Sequence, residues 1–238
     1  MWIRTFSRLS VFFVAFAFSI SAWSIDGPTL KLRRECRKEQ FQKFSSLAGE
    51  VSKIVDGDTI GFLYRGGDYR IRMVGIDTAE THFQGKSQGY WGDVAHDRLS
   101  QVLPLGASVK ILLSGEKCDH FGRILGEVIY EKENLNNRML AEGLAVNYCI
   151  WPDDGCLEKS DLVRPNTENR RGIFSGAPAV ELPYIWRDQM RGTAPHRYLG
   201  SLRSHEVYPP GSFDKVPAAD RVFFNLKKDV APPYFFVE

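Results

Sequence analysis

No apolar stretch of this 238-residue chain reaches the roughly 20 residues needed to cross a bilayer, so a spanning helix is not expected. C-x-x-C pairs are absent, and His82, His96, His120, His196 and His205 share no ligand-like spacing, which disfavours a zinc centre. Internal repeats are absent too, excluding a solenoid or propeller. At 43% hydrophobic and 25% charged residues, the composition is that of a globular chain and excludes collagen-like or disordered character.

A surplus of charge is also lacking. Residues 1–24 carry Arg4 and Arg8, then the apolar run Val11–Phe18, then Ala22-Trp23-Ser24. This layout is that of a secretory signal peptide, with an uncleaved anchor as the alternative. Cleavage takes those two arginines from the 31 basic residues, leaving 29 against 29 acidic ones. Net charge therefore says nothing about an anionic partner, and any anion site must come from local clustering. The mature protein is expected to be exported, periplasmic or extracellular, with no stable membrane association, and to be a monomer.

Cysteines are few but even in number. Cys36, Cys118, Cys149 and Cys156 all follow the leader, as suits disulfides in an exported protein. Three pairings are open. Cys149 and Cys156 bracket the turn-rich Ile-Trp-Pro-Asp-Asp-Gly, and closure of that loop would leave Cys36 for Cys118.

Residues 25–47 form a polar lead-in with Lys31, Arg33, Arg34, Arg37, Lys38 and Lys43 against Glu35 and Glu39, either a solvated basic face or an arm that contacts phosphates. Short β-type runs follow at 50–55, 59–64 and 69–74, punctuated by Asp56-Gly57 and Gly66-Gly67, and predict a three-strand meander. A helix is expected within 86–103, strands at 108–113 and 124–130, a short helix at 134–142, a strand at 144–149 and a further helix toward Arg170. Together these describe an α+β domain built on a small five-stranded OB-type barrel with about three helices, over residues 48–174. Beyond it, residues 175–238 hold eight of the twelve prolines and many aromatics. An irregular extension packed on the domain is the reading for this segment, either as packing or as a substrate-selecting flap that includes Arg187, Arg191, Arg197 and Arg203.

Three clusters carry chemistry: Asp56-Gly57-Asp58-Thr59, the run Arg72 to Glu80, and Cys118 to Arg123. Each alone is explained by turns and caps. Jointly they hold what phosphodiester cleavage needs. Asp58 and Asp77 are hard oxygen donors suited to Ca²⁺ or Mg²⁺. Glu80 is placed to take a proton from water, and Arg72 and Arg123 offer planar forks for a phosphate and its developing charge.

In order, spacing and type, these residues resemble the thermonuclease, or staphylococcal nuclease-like, family. The matching pieces are Val55-Asp56-Gly57-Asp58-Thr59-Ile60, Arg72 five residues before Asp77, Asp77-Thr78-x-Glu80, Asp119-x-x-Gly122-Arg123, and Asn137 with Gly143-Leu144-Ala145. The resemblance implies an OB-fold, Ca²⁺-dependent nuclease that cleaves single-stranded or frayed DNA and RNA to 3′-phosphate ends. It implies one Ca²⁺, with Mg²⁺ or Mn²⁺ as substitutes, held by Asp58, Asp77 and the Thr78 carbonyl, with Asp56 beside or behind them. Arg72 and Arg123 would stabilise the five-coordinate phosphorane, and Glu80 would be the general base. Two departures stand out. Ala79 replaces the family's usual proline, which loosens the turn carrying Glu80, and Phe121 replaces a tyrosine, which removes a hydroxyl contact to phosphate. Weaker substrate binding is expected at Phe121, while Tyr148 and Trp151 fall near the region where the family stacks a base, with a place in the core as the alternative. The competing function is a non-catalytic OB module that binds nucleic acid or protein, but such a module has no need of three carboxylates facing a phosphate.

Overall fold

The computed structural model describes residues 33–150 and 155–237. The expected signal peptide, the lead-in before residue 33 and Trp151 lie outside the described residues. A short helix α1 (Lys38–Phe41) opens the described chain. It is followed by β1 (Ser46–Asp56), β2 (Thr59–Tyr64), β3 (Gly67–Met73), β4 (Gly75–Thr78), helix α2 (Tyr90–Val102), β5 (Ser108–Cys118), β6 (Ile124–Tyr130), β7 (Glu133–Asn134), α3 (Leu135–Ala141), β8 (Ala145–Ile150) and α4 (Cys156–Glu168).

Strands β1, β2 and β3 form an antiparallel meander, while β1 also pairs with β5 and β5 with β6. Parallel pairing of β6 with β3, Ile71 opposite Ile124, closes the five strands into a barrel. Alternation does the sorting: Gly67, Tyr69, Ile71 and Met73 of β3 face inward, while Asp68, Arg70 and Arg72 face out. Inside, Ile60, Phe62, Ile71, Met73, Ile111, Ile124 and Val128 are fully buried, each such side chain stabilising the fold by about 1.5–3 kcal/mol. Helix α2 covers one end through Ala95 and Leu99.

The β1–β2 turn comes to rest against this helix. A Cβ on Gly57 would lie 2.7 Å from the Ala95 Cβ and 2.9 Å from the Thr78 hydroxyl, so only glycine lets the hairpin tip approach. Irregular register in β1 just before the turn, between Ile54 and Asp56, re-aims the side chains there.

Residues 175–238 are more regular than their proline content predicts. They form α5 (Pro183–Arg191), β9 (Tyr198–Ser201), β10 (Glu206–Tyr208), β11 (Arg221–Phe224) and β12 (Phe235–Phe236). Pro183 sits in the first turn of α5, where its missing N–H costs nothing. The other prolines of the extension lie between its helices and strands, leaving Val222, Phe223 and Phe224 free to pair. Strand β11 adds in parallel to β8, giving a second sheet in the order β12-β10-β9-β11-β8-β4. The extension thus shares a sheet with β4, the strand that carries Asp77.

Disulfides join Cys36 to Cys118 and Cys149 to Cys156, 82 and 7 residues apart. By loop-closure entropy the first stabilises by about 4–5 kcal/mol and the second by about 2. The long-range bridge, with the Cys36 amide donating to the Gly122 carbonyl at 2.8 Å, pins the lead-in to the Asp119–Arg123 loop.

Candidate active site

The β1–β2 turn, the outer face of β3 and the end of β4 converge on one cluster of carboxylates. Asp56 Oδ1 accepts the Asp58 amide at 3.0 Å, the local bond that makes the turn. Asp58 then points at β4, where its Oδ2 accepts the Thr78 amide at 2.8 Å and the Thr78 hydroxyl at 3.1 Å. Arg72 spans both strands: Nη1 lies 3.0 Å from Asp58 Oδ1, and Nη2 donates to Asp77 Oδ1 at 2.8 Å. Its Nη1 also donates to the Met73 carbonyl at 2.8 Å, which fixes the plane of the guanidinium. Asp77 is fully buried.

A second guanidinium enters from α5. Arg187 Nη1 and Nη2 donate to the two oxygens of Asp77 at 2.8 and 2.7 Å, and Nη1 donates to Glu80 Oε1 at 2.7 Å. Burial raises the Glu80 carboxyl above its ordinary range; Arg187 opposes the rise, while Asp58 and Asp77 add to it. Burial also pushes Asp56 up, to about 8, with Asp58 reinforcing the shift. For Asp58 itself the penalty of burial is outweighed by Arg72, the Thr78 amide, Arg187 and Arg123, and its carboxyl is held below the usual value.

Arg123 stands apart from this hydrogen-bonded cluster. Its Nε donates to Asp119 Oδ2 at 2.6 Å, and its guanidinium lies 5.3 Å from the centre of the exposed Phe121 ring. The β3–β6 register nevertheless puts the start of β6 alongside β3, so Arg123 flanks the outer face that carries Arg72. Tyr148 is enclosed by the extension: its ring stacks on Tyr184 at 5.6 Å, and its hydroxyl accepts from Arg197. Arg72, Asp58, Asp77, Thr78, Asp56 and Glu80 are therefore brought together, Arg123 and Phe121 lie at the edge, and Tyr148 forms the wall beneath Arg187, 5.8 Å from its guanidinium.

From sequence, Arg187 is one of five arginines in the extension. The local signal that singles it out is helical spacing, since Tyr184 and Arg187 share one face of α5. Tyr184 anchors that helix. Burial pushes its phenol up to about 12, and the neutral hydroxyl accepts Arg221 Nη1 at 2.6 Å.

The donor chemistry fits a hard divalent cation. Even with Asp56 protonated, the carboxylates of Asp58, Asp77 and Glu80 outnumber the two guanidiniums, so negative charge is in excess. Among the described residues no three carboxylate, histidine or cysteine side chains already form a metal cage. The arginines satisfy the oxygens instead.

A barrel of OB type with carboxylates and arginines on one outer face defines a phosphodiester-cleaving class of enzyme. Comparisons with known proteins agree. Residues 70–172 match the staphylococcal nuclease homologue family. Endonuclease YhcR of Bacillus subtilis is 31% identical over 187 residues, covering 74% of this chain and 15% of YhcR. The thermonuclease of Staphylococcus intermedius is 31% identical, over 54% of this chain and 71% of its own length. Micrococcal nuclease of Shigella flexneri is 28% identical, over 60% and 82%. The chain belongs to the staphylococcal nuclease family and is, by class, a nuclease. Arg187 lies beyond the matched residues.

Proposed function

We propose that the protein is an exported, monomeric, Ca²⁺-dependent nuclease that hydrolyses DNA and RNA, preferring single-stranded or frayed substrate and leaving 3′-phosphate ends. The observation that carries this reading is the convergence of Asp58, Asp77 and Glu80 with Arg72 on one face of the barrel. A pure binding module would place carboxylates away from phosphates, because they repel them. Two disulfides support export.

Asp58, Asp77 and the Thr78 carbonyl would hold the cation, with Asp56 behind them. Bound there, a divalent ion supplies Lewis acidity and charge neutralisation next to the phosphate. Glu80, raised above its ordinary range yet paired with Arg187, accepts the proton of the attacking water. Attack on phosphorus breaks the bond to the 5′-oxygen, which takes up a proton from solvent, and the phosphate stays on the 3′ side. Arg72 on β3 and Arg123 in the loop before β6 approach from separate elements and neutralise the extra charge on the non-bridging oxygens. Phe121 lacks a hydroxyl and contributes an exposed apolar face at the rim.

The test is Glu80→Gln. Turnover on single-stranded DNA is expected to fall by about 10²–10⁴-fold with oligonucleotide affinity kept. Equal turnover in variant and wild type removes the general base from the account, and binding without cleavage by the wild-type protein under Ca²⁺, Mg²⁺ or Mn²⁺ leaves a binding module.

A further inference from the structure

The geometry points to Arg187 as a positioning residue of the nuclease site, through which the C-terminal extension sets the orientation of Glu80 and Asp77. The inference rests on the metal-assisted reading above and adds to it a residue outside the family-matched segment.

The turn that carries Glu80 begins at Ala79, where the family's usual proline would have stiffened it. Here stiffness comes from elsewhere. Ala79 is fully buried in a cluster with Val146, Ile173, Tyr184 and Phe223, so the extension packs directly on the turn. The Glu80 amide donates to Gln88 Oε1 at 3.0 Å, and Gln88 Nε2 donates to the Glu181 carbonyl at 2.8 Å, just ahead of α5. Trp91 Nε1 donates to the Pro178 carbonyl at 2.9 Å, a second tie between the same two segments. The Glu80 side chain is then gripped by Arg187, which also holds both oxygens of Asp77.

Arg187 is itself held rigidly. Its guanidinium lies 5.8 Å from the centre of the Tyr148 ring, which stacks on Tyr184, and Tyr184 is anchored by Arg221. Arg221 in turn donates to the Phe213 and Val216 carbonyls at 2.6 and 3.0 Å. A planar fork fixed in this way can hold two carboxylates at a set separation, which an ammonium cannot do. The arrangement has a cost that makes it testable: a cation on Asp77 repels a second cation and competes for its oxygens.

The experiment compares wild type, Arg187→Ala and Arg187→Lys by steady-state cleavage of single-stranded DNA and by calorimetric titration with Ca²⁺. For Arg187→Ala, kcat is expected to fall by about 100-fold with KM within a few-fold, as for a misplaced catalytic group. Ca²⁺ binding is expected to hold or tighten, because a competing cation has gone. A merely structural role would weaken both together. Arg187→Lys keeps the buried charge and the stem, so it folds even if the alanine variant does not, and roughly a tenfold deficit in kcat is expected. Unchanged or increased kcat in either variant, or a parallel loss of kcat and Ca²⁺ affinity, overturns the inference. Absence of cleavage by wild type is instead a failure of the functional reading.

Discussion

Arg72 and Arg187 reach the same Asp77 from very different places in the chain. Arg72 lies five residues away on β3, and Arg187 lies 110 residues away on α5. Both side chains are 12% exposed, and both are drawn to the same buried carboxylate. The near arginine is part of the barrel and is fixed by the pleat of β3; the far one is delivered by a sheet extended beyond the barrel. The site is thus half local and half assembled, and each half can be perturbed separately.

The largest expected effect follows from removing the far half entirely. Truncation after Gly176 strips β11 from β8 and exposes Ala79, Val146 and Cys149, all buried in the full chain. An unpaired, apolar edge strand invites aggregation. Loss of the cooperative thermal transition, or aggregation on purification, is expected; a truncated protein that is folded and fully active would mean that the extension is dispensable.

Next in size is a contrast between the two arginines carried by the barrel. Arg72→Met leaves Asp58 and Asp77 without their shared cation and is expected to cost about 3–5 kcal/mol in urea unfolding of the metal-free protein. Arg123→Met breaks only a partly exposed pair with Asp119 and is expected to cost about 1 kcal/mol or less. Both should lower kcat by about 10²–10³-fold, so stability separates them where activity does not.

The barrel was legible in the sequence because its signals are local. Asp-Gly and Gly-Gly turns divide alternating runs, and the motif around Arg72, Asp77 and Glu80 is confined to the end of β3, the adjoining β4 and the turn after it. The four-residue strand β4 is not legible there, since it is too short to show a period of two and is defined by its partner β8. The regularity of the extension is hidden for a related reason: its prolines are conspicuous, while the strand signal of Arg221–Phe224 depends on β8 supplying an edge. Arg187 could be noticed but not assigned, because its partners come from residues 77 and 80. Tyr148 falls in an aromatic context that suits a base, yet the extension already supplies its stacking partner.

The remaining expected effect concerns pH. In the folded metal-free protein Asp56 holds its proton up to about pH 8, whereas its ordinary value is 3.8. The folded state therefore binds a proton that the unfolded chain has released, and stability from this group falls as pH rises between those values. Asp56→Asn removes the penalty. Its Tm gain over wild type, without divalent cations, is expected to be larger near about pH 9 than near about pH 5. An equal gain at both would mean that Asp56 titrates normally.

The most direct measurement is cleavage of single-stranded DNA by the purified protein with Ca²⁺ and with excess EGTA, followed by analysis of the product ends. Chain shortening that requires Ca²⁺ and leaves 3′-phosphate termini is the predicted result. Cleavage that persists in EGTA, or a folded protein that binds DNA yet leaves it intact with Ca²⁺, Mg²⁺ and Mn²⁺, would contradict it.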